Sequence, residues 1–429
     1  MCNAAANDQV PGAAQQEPVA LVGGTVHPVS GDVIDNGTVV FDRGVITVVG
    51  GNVAVPAGVR RIDVTGLHVY PGLIESVSQL GLTEINAVRA TVDYVETGTI
   101  NPNVRAETAV NPDSERIPVT RSNGIVVAAT LPDGGLVSGN AAVLMLDGWT
   151  WEDMTLKSCA GLVINWPAMR YTASYGMQSA REANRGATEK NLDALEQAFT
   201  EAEAYLAAKD ALGKPGAHVP KTDLRWESMI PVLRGEEPVW VKAGRAEEII
   251  SAVEFCDRHG LKMVLFGGAD APQVADLLAR ENIPVVAVPI LGLPARRHDP
   301  YDSRFTLPAR LFEAGVTCVI AGGTGYGNER NLPYHAGMAA AFGLPKEEAL
   351  KAVTLNAARI LGVGDRIGSL EPGKDATLII TTGDPLEITT SVEMMFIQGR
   401  TVDLSNRQTE LYEKYLLKYS QEDAGVIHR

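Results

Sequence analysis

Seven histidines are present: His27, His68, His218, His259, His298, His335 and His428. No two stand at the one-residue strand spacing, or the three-to-four-residue helix spacing, that turns two imidazoles onto one metal. Only His298 and His335 fall in segments able to approach a site shared with other polar groups. Those groups are Lys242, in the apolar run VWVKAG; Glu75 and Gln79, in PGLIESVSQ; and Arg296 and Arg297, beside His298 in LPARRHDPYD. A lysine buried at a strand end titrates low and serves as base or nucleophile. A lysine paired with a carboxylate such as Glu75 is a structural cation, and that is the commoner arrangement. Arg296, Arg297 and His298 suit an anionic ligand, and equally suit a solvated loop or a subunit contact. Neither Gly134-Gly135 nor Gly322-Gly323 is followed by GK[ST], so neither is a phosphate loop. No GxSxG nucleophile elbow occurs. The stretch 88–125 is rich in carboxylates, among them Asp93, Asp113 and Glu115, without the spacing of a calcium loop.

These groups need a scaffold, and 429 residues are enough for a large one. Hydrophobic residues at 45% and charged residues at 21% are ordinary for a globular chain. A formal net charge of −15 disfavours nucleic acid and anionic lipid as partners. No apolar run approaches membrane-spanning length. Cys256 and Cys318 sit in apolar runs and read as buried structural thiols. Cys2 heads a small, polar, aperiodic stretch expected to be a disordered leader over 1–18. A cysteine in that position looks like the start of a processed bacterial lipoprotein, lipid-anchored at Cys2 in the cell envelope or periplasm. A cytoplasmic location is the alternative.

From Val19 to Asp63 the chain reads as short strands and tight turns, with Asp42, Arg43 and Gly44 forming a hairpin turn. Leu370 to Leu404 has the same texture. Each piece is too small for its own core, so the two should pack together as a composite β-sandwich from 19–70 and 364–405. Between them, near-continuous apolar strands alternate with amphipathic helices, the signature of a parallel sheet buried on both faces. Over 71–363 this predicts an α/β fold of the (β/α)8 TIM-like barrel kind, with an insertion at about 140–236. In that insertion Leu192, Leu195, Phe199, Ala202 and Leu206 form one apolar face, expected to lie on the barrel wall. Residues 406–429 are expected to be a terminal helix and tail, either capping the sandwich or meeting a partner.

Three segments resemble the amidohydrolase superfamily, in its imidazolonepropionase-like and dihydroorotase-like branch. RRIDVTGLHVYPGLIES (60–76) resembles the family's passage from sandwich to barrel. NLPYHAGMAAAFGLPKEEALKAVTLNAARILGV (331–363) resembles its last barrel helices, and GDRIGSLEPGKDATLIITTGDPL (364–386) its return to the sandwich. The resemblance implies a reaction centre at the C-terminal ends of the barrel strands. It also implies zinc or another divalent metal, held by His-x-His on the first strand, a mid-barrel Lys or Glu, two later His and a final Asp. At those places this chain has Val77 and Gln79, then Lys242, Gly268 and Gly323. The expected metal ligands are therefore missing, and no cofactor is implied by the residues themselves.

Three functions remain. The first is a degenerate, non-catalytic or partner-dependent subunit, a pseudoenzyme acting as a homo-oligomer or as a heteromer with an active relative. The second is a hydrolase of non-peptide carbon–nitrogen bonds working through an atypical site around Lys242 and Glu75. The third is a small-molecule binding protein using the barrel mouth, with Gln79, Arg296, Arg297 and His298 as ligand-binding candidates. The fold serves all three equally.

Overall fold

The computed structural model describes residues 9–51, 53–169, 178–212, 220–324 and 327–423. Cys2, His218 and His428 lie outside these residues.

Both ends of the chain build one sheet. Its N-terminal strands are β1 (Val19–Val26), β2 (Ile34–Asp42), β3 (Val45–Gly51), β4 (Arg60–Asp63) and β5 (His68–Pro71). Arg43 and Gly44 both take positive φ, 48° and 81°, giving the tight β2–β3 turn its right-handed strand twist. The returning chain adds the last three strands of the fold, at Leu378–Thr381, Val392–Ile397 and Arg400–Thr401, and the first of these runs antiparallel to β5. The sheet curls on itself: Ile46 N–H donates to the Lys374 carbonyl at 2.8 Å and Ala376 N–H to that of Gly44 at 2.7 Å. Inside the curl lies a separate apolar core, where Phe41 and Phe396 meet edge to face at 5.1 Å.

The second sheet is the barrel. In chain order it holds β6 (Leu73–Ser78), β7 (Ile125–Thr130), β8 (Val137–Met145), β9 (Thr155–Asn165), β10 (Val239–Ala243), β11 (Met263–Gly267), β12 (Val285–Ala287) and β13 (Cys318–Ile320). All neighbours are parallel except β8, which is antiparallel to both β7 and β9. This corrects the expected insertion at about 140–236, because 137–165 supplies two barrel strands. Only residues 131–136 join β7 to β8, far short of the dozen or so a parallel crossover needs, so the chain must turn back. The true excursion is the β9–β10 connection with helices Gln178–Asp210 and Leu224–Leu233. Its apolar face does lie on the barrel: Leu195, Phe199 and Ala202 are fully buried, and Phe199 meets Phe255 edge-on at 5.1 Å.

Residues 9–18 are not a free leader. Gly12 N–H donates to Asp147 at 3.2 Å, and the Gln15 amide bonds both the Phe41 carbonyl and Gly44 N–H. Asp147, buried after β8, also pairs with Arg121 of the barrel and Arg400 of the last sandwich strand, each at 3.3 Å. One carboxylate thus ties three parts of the chain together.

In β9, Gly161 holds φ of +132°, and a β-carbon there would lie 2.5 Å from both the Pro238 carbonyl oxygen and the Trp240 ring. That space lets the wholly buried Trp240 donate its indole N–H to the Ala160 carbonyl at 2.8 Å. Gly161→Ala should therefore lose about 2–3 kcal/mol through strain and overpacking, read as a lower urea midpoint with unchanged slope. An unchanged midpoint would show that the strand accommodates the methyl group.

Candidate functional site

At the C-terminal ends of the barrel strands lies a cavity of about 410 Å³. Its walls are mostly apolar, with Val77 from β6, Leu131 after β7, Phe266 from β11, and Val288 and Leu291 after β12. Polar groups enter at Asp133, Lys242, Asn328, Asn331 and His335, and Gly322 to Thr324 form the rim after β13.

Lys242 is the one exposed residue of β10, near its C-terminal end, and its side chain is about half exposed. Its Nζ lies 2.8 Å from Asp133 Oδ2. Asp133 is itself held, since Asn165 donates to its other oxygen at 3.0 Å and to Ser138 and the Gly135 carbonyl at 3.1 Å. The expected pairing of Lys242 with Glu75 is therefore wrong. Asp133 was missed because it belongs to the short β7–β8 turn, and only the reversal of β8 carries that turn to the mouth.

Glu75 does not reach the cavity. It is completely buried between β6 and β13, and accepts N–H bonds from Val77 at 3.0 Å and from Gly322 at 2.8 Å. Burial pushes its carboxyl well above the usual range and nearby Glu329 adds to the shift, while the N–H groups of Val77, Gly322 and Gly323 oppose it. Glu329 is raised by burial too, opposed by Arg116, which bonds its Oε1. Its Oε2 has no partner among the described residues.

His335 stands on helix Leu332–Ala341 and is 3% exposed. Its Nδ1 accepts the N–H groups of Ile290 at 3.2 Å and Leu291 at 3.4 Å. Burial lowers its pKa to about 4, so the ring is neutral near physiological pH. With Nδ1 accepting, the proton sits on Nε2, which has no bonded partner among the described residues.

The other candidates fall away from the cavity. Gln79 is buried and does not line it. Arg296 pairs with Asp270 and Asp299, anchoring its own loop, while Arg297 and His298 point to solvent. The basic loop is thus a solvated one held by carboxylates, not an anion clamp in the mouth. Gly268 and Gly323, with φ of +59° and +91°, offer no side-chain donor. A divalent metal needs three or four lone pairs converging on one point. Val77, a paired ammonium, glycines and an imidazole whose lone pair is already taken do not fit one. Among the described residues no group of three His, Cys, Asp or Glu is placed to hold an ion.

Comparison with known proteins agrees with this architecture. The amidohydrolase family profile matches residues 307–402. Amidohydrolase tasK of Hapsidospora irregularis is 22% identical over 388 residues, 85% of this chain and 39% of that protein. Imidazolonepropionase of Syntrophobacter fumaroxidans is 38% identical over 85 residues, 19% of this chain and 20% of that protein. The chain therefore spans well under half the length of either curated relative. A solved amidohydrolase structure from Thermotoga maritima superimposes with a TM-score of 0.80 at 27% identity, covering 90% of this chain and 99% of that one. The chain thus has the fold of amidohydrolases, with the family's profile over its C-terminal part.

The buried carboxyl makes a pH prediction. Unfolded, Glu75 ionises in the ordinary range; folded, it holds its proton to higher pH. The folded state then binds more protons across that interval, so stability falls as pH rises through it. Glu75→Gln cannot ionise and should flatten the fall, measured by urea unfolding between about pH 5 and pH 8. An identical pH slope in the variant would mean that Glu75 ionises normally in place.

Proposed function

We propose that this chain is an amidohydrolase-superfamily protein without a catalytic metal, which keeps its barrel mouth as a small-molecule pocket and works within an assembly. The observation that carries this reading is the donor set. Where the family's metal chemistry needs lone pairs, the mouth has Val77, glycines, and Lys242 bound to Asp133 at 2.8 Å. A hydrolase working through Lys242 is less well supported. An ammonium held by a carboxylate is a poor base, and Glu75 lies outside the cavity.

Assembly, with a second copy or with an active relative, is supported by the terminal helix Arg407–Asp423. None of its described side chains is buried, and Tyr412, Tyr415, Leu416, Leu417 and Tyr419 are about half exposed or more. A helix of 17 residues is marginal in water without a packed face. It does not cap the sandwich.

Two measurements test the reading. Protein purified from metal-supplemented medium should carry substoichiometric zinc, iron and manganese, and should not turn over amide, lactam or dipeptide substrates. Near-stoichiometric metal with chelator-sensitive turnover would overturn it. Light scattering should give an oligomer for the full chain and a smaller species when 407–429 are removed. A monomer in both cases, with no partner recovered from the native host, ends the assembly half.

A further inference from the structure

Three of the polar side chains that line the mouth, Asp133, Lys242 and His335, have bonded partners that fix their state. Each Asp133 oxygen accepts one hydrogen bond, one from Lys242 and one from Asn165. Lys242 uses one of its three N–H groups on Asp133 and keeps the others. His335 is a buried neutral imidazole whose Nδ1 is occupied by two backbone N–H groups, which leaves only a proton donor, Nε2–H, for the cavity. Among the described residues, Lys242 and the buried His335 therefore present donors to the cavity. A buried donor left unmatched is unfavourable, so the cavity favours an occupant that brings acceptors. The remaining wall, Val77, Leu131, Phe266, Val288 and Leu291, asks for an apolar body.

From this we infer that the barrel mouth is a site for small monocarboxylic acids with an apolar body, the carboxylate accepting from His335 Nε2–H and Lys242 while the hydrocarbon part lies against Phe266 and Leu131. The inference rests on the reading of the mouth as a binding pocket. His335 is its specificity residue: with Nδ1 locked by the backbone it offers a proton and cannot accept one, so amines of the same shape are refused. The Lys242–Asp133 pair is electrically neutral, so an entering carboxylate meets no net negative charge from that pair.

The test uses the full chain after chelator treatment, titrated calorimetrically with phenylacetate and with the similarly sized cation phenethylamine. Phenylacetate should bind and phenethylamine should not. His335→Asn keeps an acceptor for the Ile290 and Leu291 N–H groups but lacks the distal donor, and should bind phenylacetate about tenfold more weakly. Lys242→Met should weaken it as well. Should His335→Asn fail to fold, the imidazole Nε2–H resonance of His335 in the parent chain serves instead, shifting downfield with phenylacetate. Equal binding of the amine, undiminished affinity in folded His335→Asn, saturation without movement of the His335 resonance, or no binding at millimolar phenylacetate would each overturn the inference. Because the protein is metal-stripped, these outcomes are independent of the metal and turnover measurements. Chelator-sensitive hydrolysis would overturn the proposed function while leaving a His335-dependent carboxylate site standing.

Discussion

The barrel is closed by a side chain. Seven ladders join β6 through β13 in order, and across the remaining seam the Glu75 carboxyl bridges Val77 N–H on its own strand to Gly322 N–H beyond β13. A wholly buried carboxyl is tolerated there because both oxygens find N–H donors, while burial favours its neutral form over an unpaired buried charge. The rim glycines follow from it. A β-carbon at Gly322 would fall 2.8 Å from Glu75 Oε2, so the backbone approaches the carboxyl only without a side chain. The place where the superfamily resemblance implies a metal-binding aspartate is therefore occupied by backbone that serves closure.

Much of the scaffold was legible from residue pattern. The two β-rich ends, the turn at Arg43-Gly44 and the apolar stripe on Gln178–Asp210 all follow from periodicity that local geometry obeys. Strand β8 was not legible. Its sequence VSGNAAVLM mixes Ser, Gly and Asn with apolar residues, yet all nine are buried, so neither alternation nor a clean apolar run marks it. The polar members survive inside because they find partners: the Asn140 amide donates to the Pro102 carbonyl at 2.7 Å.

The site was legible only as a subtraction. Residue types alone show that Val77 and the glycines hold no metal. They do not show what stands in its place, because Lys242 and Asp133 are 109 positions apart and meet only through the barrel's register. His335 was recognisable as a histidine near the mouth. Its role as a pure donor depends on two backbone N–H groups from the loop after β12, and no spacing encodes that. His298 looked equivalent in sequence and is solvent-facing in the fold.

The reversal of β8 has an evolutionary corollary. In a barrel of βα units the rim loops are connections that lengthen or change without touching the core, and binding preferences drift through them. Here the stretch carrying Asp133 is a tight hairpin between two fully buried strands, and inserting residues into it would threaten the register of both. One quadrant of the pocket is thereby withdrawn from easy innovation. Variation among descendants should concentrate on the opposite rim, in the long excursion after β12, while the anchored carboxylate and its lysine persist as a fixed landmark.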